Sequence, residues 1–273
     1  MKKVNPILIL SFLSIVLSSF CIASSNIYGG INGGVLKIQP RNLDNTSISW
    51  GFTPDNKSKT SEINDKLNFK LSDYDVIYNG PKGFKNKALY LTFDEGYEMG
   101  YTNEILDVLK EKNVKATFFV TSYYIASSPS IVKRMIDEGH IVANHSKGHY
   151  SMPSLTYSRD IFNEEFTDVE NKFKELTGEN MPKFFRPPMG EYSQKSLAMT
   201  KDLGYKTVFW SFAYYDYEPS NQPEEIYAKQ HILSHLHDGS IILLHAVSKT
   251  NANILGDVID EARKMGYEFY FLP

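Results

Sequence analysis

From residue 88 onward, short apolar runs alternate with longer stretches in which apolar positions recur every three or four residues. The run 88–93 (ALYLTF) predicts a strand, and Ile105, Leu106 and Leu109 within 101–112 predict a helix. The alternation continues with predicted strands at 116–120, 140–143, 206–210, 240–245 and 268–271. Between them, helices are predicted near 130–138, stopped by Gly139, and over 159–176, stopped by Gly178. Three more fall over 194–203, 223–237 and 252–265. Strands and helices in this order imply an α/β fold of parallel strands with helices outside, as an open sheet or a barrel. In either case, ligands sit at the carboxyl ends of the strands.

The first 87 residues read differently. Lys2 and Lys3 precede an apolar run, 7–17, that is too short to span a bilayer comfortably, and small residues follow. Residues 1–25 therefore read as an export signal, with Ala23 and Ser25 as cleavage positions and an uncleaved anchor as the alternative. Phe20 is bulkier than a lipoprotein signal allows before Cys21, the chain's one cysteine. Cleavage would leave a mature chain without a disulfide. Residues 26–87 are rich in Asn, Ser, Lys and Gly and form an N-terminal extension, ordered where Trp50, Gly51 and Phe52 could dock on the main domain, 88–273. The hydrophobic fraction of 42% over 273 residues excludes wholesale disorder. A net charge of −3 with the signs interspersed argues against nucleic acid as a partner.

The polar residues that could carry chemistry collect at the predicted carboxyl edge. Thr92-Phe93-Asp94-Glu95-Gly96 ends the first strand of the main domain with two adjacent carboxylates, which call for a cation nearby. His145-Ser146-Lys147-Gly148-His149 places two imidazoles four apart, a spacing that can converge on one metal ion. His231 and His235 share that spacing, but they lie on a helix leading into a strand, away from the carboxyl edge. In Arg186-Pro187-Pro188-Met189-Gly190, paired prolines pin a loop, and the guanidinium fork suits a carboxylate. Asp216-Tyr217 closes the ring-rich stretch that begins at Trp210, and Leu243-Leu244-His245 ends a strand. Taken singly, each of the last three is more readily structural than catalytic.

Together and in this order, the five motifs resemble the polysaccharide deacetylase family, the NodB-homology or carbohydrate esterase family 4 group, over residues 87–273. The resemblance implies an irregular (β/α) barrel and a metal-assisted amidase. Carried over by position, Asp94 is similar to the catalytic base, Arg186 to the arginine holding it, His245 to the general acid and Asp216 to its orienting carboxylate. His145, His149 and Glu95 take the places of metal ligands for a divalent ion, expected to be zinc. Leu243 takes the place of the residue lining the acetyl-methyl pocket, while Met189, Tyr217 and Trp210 form sugar-facing walls. A divalent metal would bring bound water's pKa from about 15.7 towards about 7, and a backbone N–H near Met189 would help hold the oxyanion.

Glu95 departs from the family pattern, which has aspartate there. One extra methylene, about 1.5 Å, strains a site that tolerates about 0.2 Å. Several stretches, among them DEGYEMGYTNEILDVLKEKNVKATFFVT, FRPPMGEYS and LLHAVSKTNA, look like the delta-lactam-biosynthetic de-N-acetylase subgroup. That resemblance implies action on peptide-free N-acetylmuramic acid of spore-cortex peptidoglycan, outside the cytoplasm, by a monomer. The alternatives are an N-acetylglucosamine deacetylase and a non-catalytic glycan-binding module with a decayed metal site.

Overall fold

The computed structural model describes residues 43–53, 62–63, 67–81 and 87–273, so the expected leader, 1–25, lies outside the described residues. The described elements of the extension are β1 (Ile48–Ser49), β2 (Phe52–Thr53), β3 (Glu62–Ile63), a 3-10 turn at Leu71–Tyr74 and β4 (Val76–Ile77). Next come β5 (Ala88–Glu95), α1 (Thr102–Glu111), β6 (Thr117–Val120), α2 (Ser122–Ser127), α3 (Pro129–Asp137) and β7 (Ile141–Asn144). They are followed by α4 (Met152–Leu155), α5 (Arg159–Thr177), β8 (Phe184–Phe185), β9 (Glu191–Tyr192), α6 (Gln194–Asp202) and β10 (Lys206–Val208). The chain closes with α7 (Glu225–Ser234), β11 (Ser240–His245), α8 (Lys249–Lys264) and β12 (Glu268–Phe269).

The main sheet has the order β11-β5-β6-β7-β8-β10-β4, with β12 added against the start of β5, and all its pairings are parallel. It curls until the chain beyond β10 returns to β11. Phe212 bridges to Ile242, and the Leu243 N–H donates to the Phe212 carbonyl. This is the irregular (β/α) barrel expected from the sequence. Side chains alternate along each strand. Leu89, Leu91 and Phe93 point outward against Ile105 and Leu109 of α1 and Ile259 of α8. Ala88 and Tyr90 point inward with Phe119, Ala143, Val208 and Ile241. That register assigns a face to every polar residue at the end of β5.

Caps fix where the helices begin. The side chains of Thr121, Ser158, Ser193 and Ser248 each accept an N–H from the first turn of the helix that follows, worth about 1 kcal/mol apiece. Gly178, at φ 78°, ends α5 in the left-handed conformation that favours glycine.

The described part of the extension folds with the barrel in one compact unit, Ile38–Pro273. β1 pairs antiparallel with β9, and β4 is the edge strand beside β10. Trp50 is buried and stacks on Phe209 at 4.2 Å. Its main-chain N–H donates to the Gly190 carbonyl at 2.8 Å, and its Nε1–H donates to the Trp210 carbonyl at 2.9 Å. No helix among the described residues is long and apolar enough to cross a membrane.

Candidate active site

Asp94 is the last inward-facing residue of β5, and Arg186, just after β8, reaches it from across the barrel. The Arg186 Nη1–H donates to Asp94 Oδ1 at 2.7 Å. The rest of the guanidinium donates to the carbonyls of Val208 at 3.2 Å and Phe209 at 3.5 Å, and its plane lies over the Phe119 ring. Arg186 is wholly buried, so its fork is fixed by the fold before any ligand arrives. Burial alone would raise the Asp94 pKa. The charge of Arg186, with His145 and His245 behind it, outweighs that and holds the carboxyl below its ordinary value.

His145 follows β7 and faces inward beside Asp94. Its Nδ1–H donates to the Arg186 carbonyl at 2.8 Å, which leaves Nε2 as a bare acceptor 3.6 Å from Asp94 Oδ2. Burial drives its pKa down to about 4, against the pull of Asp94, so the ring is neutral. Ser146 at φ 71° and His149 at φ 55° turn the loop sharply, and the two rings meet edge to face at 4.9 Å.

Glu95 does not join them. β5 continues through Glu95, which pairs with Val120, so strand alternation turns its side chain to the helix-facing side, opposite Asp94. There it is fully buried, and neither carboxylate oxygen has a hydrogen-bond partner. Desolvation, then the charges of Glu98 and Asp94, push its pKa well up. The expected metal set of His145, His149 and Glu95 is therefore not assembled. No cluster of three or more His, Cys, Asp or Glu side chains among the described residues is arranged to hold a metal ion. The donor set of His145, His149 and Glu95 does not fit the zinc site expected from the sequence.

The adjoining wall is built at the end of β11, where His245 lies in register with Asp94. Asp216 is fully buried and accepts three N–H bonds: from the His245 ring at 2.7 Å, the His245 main chain at 2.9 Å and Asn251 Nδ2 at 2.6 Å. With Nδ1–H held by Asp216, the His245 Nε2 is left for a ligand. Burial works against the imidazolium, but the charge and hydrogen bond of Asp216 outweigh it and raise the His245 pKa. Asn251 was not singled out in the sequence. Its signal is positional: it lies in the first turn of α8, where its own N–H is capped by Ser248 at 3.1 Å.

These groups line one cleft of about 890 Å³ that contains Asp94, His145, His149 and His245. Met189, Trp210, Tyr217 and Leu243 line it as expected, and Tyr97, Tyr123 and Tyr214 add rings that the motifs did not mark. Met189, at φ 58°, is held on the rim by the Pro187–Gly190 turn. A side chain at Gly190 would strike the Trp210 ring at 2.8 Å, so glycine is required behind it. His231 and His235 lie outside this cleft and pack against Phe212.

The site thus sets a carboxylate–arginine pair beside a carboxylate–histidine pair at the carboxyl edge of a parallel barrel. Residues 82–208 match the polysaccharide deacetylase family. The chain is 40% identical over 251 residues to the peptidoglycan-N-acetylmuramic acid deacetylase PdaA of Bacillus subtilis, covering 92% of each chain. The protein belongs to the polysaccharide deacetylase family. Its fold matches the solved structure of Bacillus subtilis PdaA, a family 4 carbohydrate esterase, with a TM-score of 0.79 over 84% of this chain and 96% of that one. It is also 29% identical to a peptidoglycan-N-acetylglucosamine deacetylase of Bacillus cereus, over 83% of this chain and 82% of the relative.

Proposed function

We propose that this protein hydrolyses the N-acetyl amide of N-acetylmuramic acid in peptidoglycan, acting outside the cytoplasm. The observation that carries the proposal is the pairing of a depressed carboxylate, Asp94 on Arg186, with a raised imidazole, His245 on Asp216, side by side in one cleft. Opposed shifts of this kind separate a base from an acid at one pH. Asp94 accepts a proton from a water molecule as that water attacks the acetyl carbonyl. We assign the main-chain amide of Met189 to the developing oxyanion. His245 Nε2–H then protonates the leaving nitrogen, and acetate and the free amine separate. Leu243, buried on the cleft wall, packs against the acetyl methyl.

The muramic residue is favoured over glucosamine by the 40% identity to PdaA along nearly the whole chain. A peptide-free muramic residue, once deacetylated, carries an amine beside its lactyl carboxyl and can close to the δ-lactam of spore cortex. A binding-only module has no use for the Asp94–Arg186 and His245–Asp216 pairs, so we set that alternative aside. Acetate release from peptide-free glycan strands tests the proposal. Release from muramic-containing strands, and little from N-acetylglucosamine oligomers, supports it. Release from the oligomers alone transfers the activity to glucosamine.

A further inference from the structure

We infer that Lys147 is the specificity-determining residue that receives the lactyl carboxylate of the muramic substrate; this rests on the function proposed above. Three observations carry it. Among the described residues lining the cleft, Lys147 is the only lysine or arginine; the Arg186 guanidinium is wholly buried behind Asp94. Lys147 also sits midway along the loop that carries His145 and His149, and it lines the same cleft as they do. In muramic acid, the acetamide and the lactyl ether occupy adjacent ring carbons, so a carboxylate must lie beside the scissile amide. An uncompensated anion there would face Asp94.

The third observation concerns how Lys147 is held. Its Nζ is paired with Glu164 Oε1 of α5 at 2.5 Å, and both side chains are substantially exposed, at 41% and 58%. Such a surface pair is weak and exchangeable, so a substrate carboxylate can displace Glu164 at little cost. Glu165 is not a competitor of the same kind, because its Oε2 is engaged by the Gly148 N–H at 2.8 Å. Glu164 therefore parks the ammonium between turnovers and competes with the anionic substrate for it.

The test uses purified protein and two forms of one peptide-free glycan, with the lactyl carboxyl free or converted to its methyl ester. The readout is the ratio of kcat/KM for acid over ester. Lys147→Ala should lower that ratio about fivefold, chiefly through KM for the acid, and Lys147→Arg should restore most of it. Glu164→Gln, which removes the competitor, should raise the ratio. A structural role for Lys147 would instead depress both substrates together and leave the ratio unmoved, and that result overturns the inference. An unchanged or lowered ratio in Glu164→Gln also counts against it. If the wild-type protein releases no acetate from either muramic form, the proposed function itself fails and takes this inference with it.

Discussion

Asp216→Asn separates the electrostatic part of the acid site from its shape. The native carboxylate accepts from three N–H groups, the His245 ring on Oδ1 and the His245 main chain and Asn251 on Oδ2. Asparagine fits the same space but offers one acceptor oxygen, so its NH2 must face either the imidazole or the two donors opposite. A buried donor left unpaired costs about 1–3 kcal/mol, and in a domain of this size each kcal/mol moves Tm by about 2–4 °C. The variant should therefore melt roughly 2–12 °C lower. The second effect is on titration. An opposite charge at contact distance favours the imidazolium, and Asp216 is the main group holding the His245 pKa up against burial. His245 is the acid below its folded pKa, so the alkaline limb of kcat/KM should move down in pH while the acid limb stays. Acetate release across pH, with an NMR titration of the His245 ring, reads both. A variant that loses rate but keeps the wild-type alkaline limb and ring pKa would refute the assigned role of Asp216.

Arg186→Met leaves Asp94 buried without its cation, so stability should fall by about 3–5 kcal/mol in denaturant melts. The native Asp94 pKa is depressed, so its contribution is present above the unfolded pKa and lost as pH falls through the folded one; in the variant, the acid limb of activity should move up. Glu95→Gln should keep acetate release, because the side chain faces away from the cleft; collapse of activity would restore Glu95 to the site. The Glu95 pKa is raised, so the wild type loses stability as pH rises from the unfolded pKa towards the folded one, and the advantage of the glutamine variant in Tm should grow over that range. Trp50→Ala should cost about 3–5 kcal/mol by emptying the stack on Phe209, measured by denaturant unfolding.

The barrel was legible in the sequence because its long strands and helices carry strong periodic signals. The predicted strand at 240–245 is β11 itself, and the helix predicted near 130–138 differs from α3 by one residue at each end. What periodicity missed was too short to have a period: β4 and β8 have two residues each, and α2 has six. β4 owes its place to the neighbouring β10 rather than to its own sequence. At the site, Asp94, His145, Asp216 and His245 were legible because each follows or ends a predicted strand at one edge, and Arg186 because paired prolines mark its loop. Glu95 was expected among the metal ligands because it takes the place of the family's second aspartate, a match of position that carries no information about which face of the strand it is on. The two extra residues of β5 put adjacent carboxylates on opposite faces, a distinction that pairing with β6 makes and composition does not. Asn251 was missed because its role depends on α8 folding back beside Asp216, a long-range contact that leaves no local pattern.

The most direct test of the central claim is mass spectrometry of peptide-free glycan strands after incubation with the purified protein. The account predicts loss of one acetyl group, located by fragmentation on the muramic residue, and no loss with Asp94→Asn or His245→Ala. Loss located on glucosamine would contradict the substrate, and undiminished loss with either variant would contradict the acid–base pair.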